Sequence, residues 1–350
     1  MTFLRPLLWP APHLFDLLSS NEPPLVIPPV RSGMFVSVMS HLVTMVAACR
    51  SFLLAYIAIH FLSFSGEAGP NPYPAFRSNL QPRIEWFLPI LIRNVAAAWI
   101  ICGLWDGLLH FSPLSKRVAK YKMHSAIQSS QQILHDAVHT TSATICGTLI
   151  EAALCMGYSH GYFSYQTRPN MVVTVIAALL VSHWRVPHFY VIHRLMHPWR
   201  TKFVPDIGRF LYKHVHSLHH KSYNPTAFSG TSMHPVEALL YYSAAFLPVF
   251  FGVHPVVPLT CVVDCAVGAW LGHDGFHSPG HGDYFHELHH WYFDGNYGGG
   301  APFLPLDEWF GTLLTCKEDL KKNWAKVGCA TGMEGNETMV HKEGGKVKVS

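Results

Sequence analysis

Two stretches, HSLHH at His216–His220 and HELHH at His286–His290, carry the same HxxHH spacing in one chain of 350 residues. Around them lie HRLMH, with His193 and His197, and HDGFH, with His273 and His277. Between His183 and His290 the chain places 16 of its 25 histidines. At this composition roughly 2 HxxxH pairs arise by accident, and His135 with His139 is a pair of that kind, whereas HxxHH is expected only about 0.1 times. The repeated triple is therefore the informative signal.

Residues three and four apart on a helix share a face. By that geometry HxxxH aims two imidazoles at one point and HxxHH aims three. Imidazole is a borderline ligand suited to iron, zinc, copper and nickel. Ten such ligands exceed the roughly four to six that one ion takes, and they suit a pair of ions. Single histidines such as His13, His41, His60, His110, His124, His160 and His341 read as ordinary surface or core residues.

Composition sets the surroundings. Hydrophobic residues make up 49% of the chain and charged residues 13%, with mean hydropathy +0.19; the charged share is about half the usual value. This points to an integral membrane protein, and a net charge of +4 gives no nucleic-acid signal. Six cysteines (Cys49, Cys102, Cys146, Cys155, Cys261, Cys265) sit inside apolar segments and read as small buried hydrophobes.

The expected fold is all-α: a multi-span transmembrane helical bundle with a cytosolic histidine-rich cap. Residues 1–33 hold seven prolines and form an irregular leader. Residues 34–170 supply transmembrane helices without a recognisable motif, with spans within 34–64, at 86–106 and at 142–163. A catalytic domain covers 171–315. It begins with a span from Met171 to about His188 and includes a hairpin over 236–272, broken at His254-Pro255, that returns the last boxes to the face of the first. Basic residues after the second span (Lys116, Arg117, Lys120, Lys122) and from Arg185 to Lys221 put the boxes on the cytosolic side. The polar tail 316–350 ends in KVKVS, which fits a K-x-K-x-x endoplasmic reticulum retrieval signal. On a cytosolic tail the sequon at Asn336 goes unused.

With the motifs in place, residues 185–315 resemble the fatty acid hydroxylase/sterol desaturase superfamily of membrane di-iron oxygenases. The likeness is carried by HRLMH, YKHVHSLHHKSYNPTAF, MHPVE, GHDGFH, HELHHWYFDGNYGG and LDEWFGT. It implies that His193, His197, His216, His219, His220, His273, His277, His286, His289 and His290 are metal ligands, and no catalytic residue is expected beyond that centre. His188, His234 and Asn296 are candidates to orient ligand rings. It further implies two iron ions and dioxygen attacking an unactivated lipid C–H bond, with hydroxylation or desaturation as the outcome. The chain has no HPGG haem motif and no GxGxxG fingerprint, so electrons are expected from a separate cytochrome b5 and NAD(P)H reductase. Within the superfamily, HHKSYNPTAF and HHWYFDGNYG look similar to sterol C-5 desaturases, while FLYKHVHSLHH resembles sphingoid-base hydroxylases. A sterol-like substrate is favoured, with a fatty-acyl or sphingoid-base hydroxylase as the alternative.

Two rivals compete. HELHH is formally HExxH, the zinc-protease pattern in which His286 and His290 bind zinc and Glu287 is the base, with Asp264, Asp283 or Asp294 as a further ligand. That reading leaves HSLHH and HRLMH without a role, and Glu287→Gln separates the two. A histidine-lined metal transporter needs ionisable groups along the bundle interior. Arg50, Arg93, Asp106, Glu151 and Asp264 are too scattered for that.

Overall fold

The computed structural model describes residues 49–60, 73–119, 122–123, 128–165, 170–199, 204–222, 224–276, 282–299 and 304–314. The leader, the tail with its KVKVS terminus, and His277 and His281 lie outside the described residues. The described residues are helical, with no strand and one isolated antiparallel bridge between Lys122 and Phe276.

Helix α1 is Cys49–His60. Helix α2, Ile84–Asp106, continues as a π turn over Gly107–Phe111, giving a largely apolar run of 28 residues, enough to cross the roughly 30 Å hydrocarbon layer of a bilayer. Helix α3 is Ser130–Ser159, about 45 Å long at 1.5 Å per residue. Ser129 caps it by accepting from Gln132 N at 3.2 Å. It starts well before the expected 142, and half of its residues are buried, among them Asp136, Thr140, Thr144 and Glu151. It is the central post of the bundle, with Leu134, Val138, Ile145 and Leu149 exposed on its outer side.

Helices α4 (Met171–Leu179) and α5 (Val181–Leu195) form the second apolar run of 25 residues. Asn170 opens it by accepting from Val172 N at 3.0 Å and Val173 N at 3.3 Å. Helix α6 is Ile207–His214, and α7 is Pro235–Tyr242, extended by a 3-10 stretch to Phe251. The chain then breaks at Gly252, whose φ of +62° suits a residue without a Cβ. It returns as α8, Val256–Gly272. The hairpin over 236–272 thus turns where the His254-Pro255 break is expected. Helix α9, Gly282–Tyr292, carries the last box.

Two pairs of opposite charges inside apolar segments meet one another, while Asp106 accepts from the backbone N–H of Ala227 at 2.7 Å. Arg93 of α2 forms an ion pair with Glu151 of α3, which also accepts from Asn94 Nδ2 at 2.8 Å and Tyr73 OH at 2.7 Å. Arg185 of α5 forms an ion pair with Asp264 of α8, and Ser51 Oγ of α1 donates to the same carboxylate at 3.1 Å. Such pairing offsets the cost of charge in an apolar setting. Asp264 is thereby committed to Arg185 and is not a ligand beside HELHH.

Candidate metal centre

Three segments deliver the histidines. Helix α5 rises through the apolar run and carries His193 in its last turn, followed by His197 just past its end. His216, His219 and His220 sit on a 3-10 turn, His216–Lys221, that follows α6. His273 follows α8, and α9 presents His286, His289 and His290. Nine of the ten expected ligands converge into two groups: His193, His197, His216, His220 and His289 in one, His219, His273, His286 and His290 in the other. Within each group one ring nitrogen per residue lies within 4.8 Å of all the others. The tenth, His277, lies outside the described residues.

The HxxHH triples do not aim three rings at one point, as the spacing suggests. Each triple divides. His216 and His220 join the first group while His219 joins the second; His286 and His290 join the second while His289 joins the first. On an α-helix, positions i and i+4 are about 40° apart around the axis, whereas i+3 and i+4 are about 100° apart. Adjacent histidines on α9 therefore splay toward different centres, and each triple ties the two groups together.

Ring orientation is fixed from behind. His193 Nδ1 faces the Tyr297 carbonyl at 2.8 Å, His289 Nδ1 the Gly295 carbonyl at 2.7 Å, and His216 Nδ1 the Glu237 carboxylate at 2.7 Å. In the second group His219 Nδ1 faces the Ser232 carbonyl at 3.3 Å and His273 Nδ1 the Ala269 carbonyl at 2.8 Å. Each acceptor assigns the proton to Nδ1 and leaves a bare lone pair at Nε2. These lone pairs point inward at one another. Nε2 atoms of His193 and His216 are 3.0 Å apart, those of His216 and His220 3.1 Å, and those of His220 and His289 3.2 Å. In the second group His273 and His290 are 3.3 Å apart and His290 and His286 3.2 Å.

Lone pairs this close repel unless a cation lies between them. Both nitrogens of His197, together with Nδ1 of His220 and His286, are buried without a hydrogen-bond partner. This donor set fits a pair of transition-metal ions. Burial, then repulsion between neighbouring rings, holds His216, His220, His286 and His290 well below the ordinary imidazole range, and His289 falls to about 4. The rings stay neutral near pH 7, as ligation requires.

The residues expected to orient rings behave unevenly. Asn296 is a clamp: Nδ2 donates to the Phe285 and Leu314 carbonyls at 3.0 Å each, and Oδ1 accepts from Leu314 N at 2.6 Å. It holds a tight turn in which Phe293, Gly295 and Asn296 all have positive φ, and that turn supplies the Gly295 and Tyr297 carbonyls. Asp307 secures the same turn, accepting from Tyr297 N at 2.8 Å and Gly298 N at 2.7 Å. His234 acts at one remove, capping α7 through Val236 N at 3.2 Å. His188 reaches Ser243 Oγ at 3.1 Å and orients none of the ligand rings through that bond. Glu237 was missed by the sequence reading, although it stands in the MHPVE stretch.

The Fatty acid hydroxylase family model matches residues 175–312. Lathosterol oxidase of Rattus norvegicus is 33% identical over 249 residues, covering 65% of this chain and 76% of that protein. The chain belongs to the fatty acid hydroxylase family. Other members similar to it differ in the reactions their names describe. Sphinganine C4-monooxygenase 2 of Arabidopsis thaliana is 27% identical over 68% of this chain and 90% of its own length. Very-long-chain aldehyde decarbonylase GL1-9 of Oryza sativa subsp. indica is 24% identical over 63% of this chain and 86% of its own length. No solved structure matches the chain. As a member of this family, whose relatives are named as oxidases, desaturases and monooxygenases, the chain is an oxidoreductase. Neither the match nor the geometry favours a protease: His286 and His290 sit with His219 and His273 in an all-imidazole group.

Proposed function

We propose that this fatty acid hydroxylase family member is a multi-pass endoplasmic reticulum oxygenase that hydroxylates or desaturates a lipid C–H bond. Its ligands are His193, His197, His216, His220 and His289 for one iron, and His219, His273, His286 and His290 for the other; His277 is added to the ligands on the family resemblance, without assignment to either ion. The observation that carries the reading is the inward convergence of Nε2 lone pairs whose Nδ1 atoms are tied to backbone and carboxylate oxygens. Two irons so held would supply the activation of dioxygen that an inert C–H bond requires. Glu237 and the carbonyls of Tyr297, Gly295, Ser232 and Ala269 hold the rings in the required tautomer.

The protein's part is to bring the lipid and exclude water. Helix α5 runs from the apolar segment to His193, so a lipid lying along it reaches the centre from the hydrocarbon side. Phe189, one turn earlier, packs 5.2 Å from His193 and 6.4 Å from His286, against a ligand of each group, and 5.0 Å from Tyr241. These two rings form a dry wall where the lipid carbon would be placed. A sterol-like substrate is favoured, with a sphingoid base or fatty acyl chain as the second reading. Cytochrome b5 and its NAD(P)H reductase are the electron source, and the boxes face the cytosol.

The test is lipid profiling by mass spectrometry of cells lacking the chain. Accumulation of a sterol precursor supports the reading, and its mass offset from the missing product distinguishes desaturation from hydroxylation. Altered sphingoid bases or acyl chains with unchanged sterols overturn the substrate choice alone. No lipid change overturns the oxygenase.

A further inference from the structure

Helix α3 lies in the half of the chain without recognisable motifs, yet its Asp136 is 0% exposed and is surrounded by donors. Its Oδ1 accepts from Ser222 Oγ at 2.7 Å, Ser232 Oγ at 2.8 Å, Gln132 Nε2 at 3.1 Å and His135 Nδ1 at 3.3 Å. Its Oδ2 accepts from Ser229 Oγ at 3.0 Å and Gln128 Nε2 at 3.2 Å. Three of these donors are hydroxyls from the segment that leaves the HSLHH box. One, Ser232, belongs to the residue whose carbonyl faces His219 Nδ1.

One turn along α3, Thr140 continues the grip. Its hydroxyl donates to the Phe228 carbonyl at 2.6 Å and accepts from Thr231 Oγ1 at 3.1 Å, while Trp270 Nε1 donates to Thr231 Oγ1 at 2.7 Å. Trp270 neighbours Ala269, whose carbonyl faces His273 Nδ1. The two segments touch closely at Gly230, where an added Cβ would lie 2.2 Å from the Ala269 carbonyl oxygen. Both orienting carbonyls of the second histidine group therefore hang on one face of α3. Those of the first group come from elsewhere, from Tyr297, Gly295 and the Glu237 carboxylate.

We infer that Asp136 is a positioning residue for the second metal alone, acting through Ser232 on His219 and through the 227–231 turn on His273. The inference rests on the two-centre reading above. A buried carboxylate that only stabilised the bundle would affect both centres alike, because a loosened post frees every element packed on it. Asp136 instead fixes the lone-pair direction of two of the four described ligands in one group, and outer partners of this kind typically change metal affinity by about 10–100-fold.

The experiment is equilibrium Co2+ titration of the full-length chain, stripped of metal in detergent micelles and followed by visible absorption. Reference spectra come from His289→Ala, which removes a ligand from the first group, and His286→Ala, which removes one from the second. Asp136→Asn keeps the side-chain volume, and Ser232→Ala removes one link while keeping the carbonyl. In both variants the second ion should bind about 10–100-fold more weakly, with the titration superposing on that of His286→Ala, while the first ion binds as in the unchanged chain. Equal weakening at both centres, or loss of folding in Asp136→Asn with wild-type binding in Ser232→Ala, makes the role structural and overturns the inference. Two full-strength ions in both variants overturn it as well. An unchanged chain that takes up a single ion overturns the two-centre reading itself.

Discussion

Glu237 Oε1 lies 2.7 Å from His216 Nδ1, and both side chains are 0% exposed. A buried carboxylate behind an imidazole raises its basicity and fixes which nitrogen is free to bind. Glu237→Ala should weaken ion binding at the first group by about 10–100-fold, and Glu237→Gln, which keeps an acceptor oxygen, should lose less. Metal titration of the purified variants decides it. Wild-type affinity in Glu237→Ala would remove Glu237 from the centre.

Two glycines test the backbone around each group separately. A Cβ on Gly208 would lie 2.1 Å from the His197 carbonyl oxygen, and one on Gly230 would lie 2.2 Å from that of Ala269. Backbone cannot swing aside as a side-chain tip can, so each alanine should cost about 1–3 kcal/mol. Gly208→Ala should also disturb the first group and Gly230→Ala the second, read as loss of one ion each. Both ions retained at full affinity in Gly208→Ala would show that the His197 backbone has freedom to move.

Arg185 and Asp264 pair between α5 and α8. Removing one partner strands a charge in an apolar setting, so Asp264→Ala should destabilise the chain by about 3–5 kcal/mol, and Arg185→Met with Asp264→Leu should recover much of it. Unfolding in mixed micelles measures both. Selective metal loss in Asp264→Ala, without destabilisation, would return Asp264 to the list of ligands.

Acid should loosen the metal-free chain. His197, His216, His219, His220, His286 and His290 are held well below their ordinary range by burial, and His289 falls to about 4. In the unfolded chain these rings titrate near 6.5. Below that pH the unfolded state binds more protons, so their contribution to stability, complete above pH 6.5, falls as pH drops toward 4. Each such ring adds a slope of up to about 1.4 kcal/mol per pH unit. The unfolding midpoint of the stripped chain should fall increasingly steeply as pH drops below about 6.5. A flat profile would mean that the rings protonate freely in the folded state.

The convergence of nine histidines was legible in the sequence because HxxHH is rare by chance, and the hairpin break was legible from His254-Pro255. The split of each triple was not, since HxxHH records only spacing along the chain and the choice of ion depends on angle around the axis. Glu237 and Asp136 escaped notice for a related reason. A lone carboxylate has no period, and only folding shows that it meets His216 or the serines after His220. Glu151 and Asp264 read as scattered charges until α2 and α5 brought Arg93 and Arg185 against them.

The most direct test of the central claim is the iron content of the chain expressed with iron and purified without chelator, compared with that of His289→Ala and His286→Ala. The account predicts two irons per unchanged chain and a loss of iron in each variant. An unchanged chain with one iron or none, or variants that keep both, would contradict it.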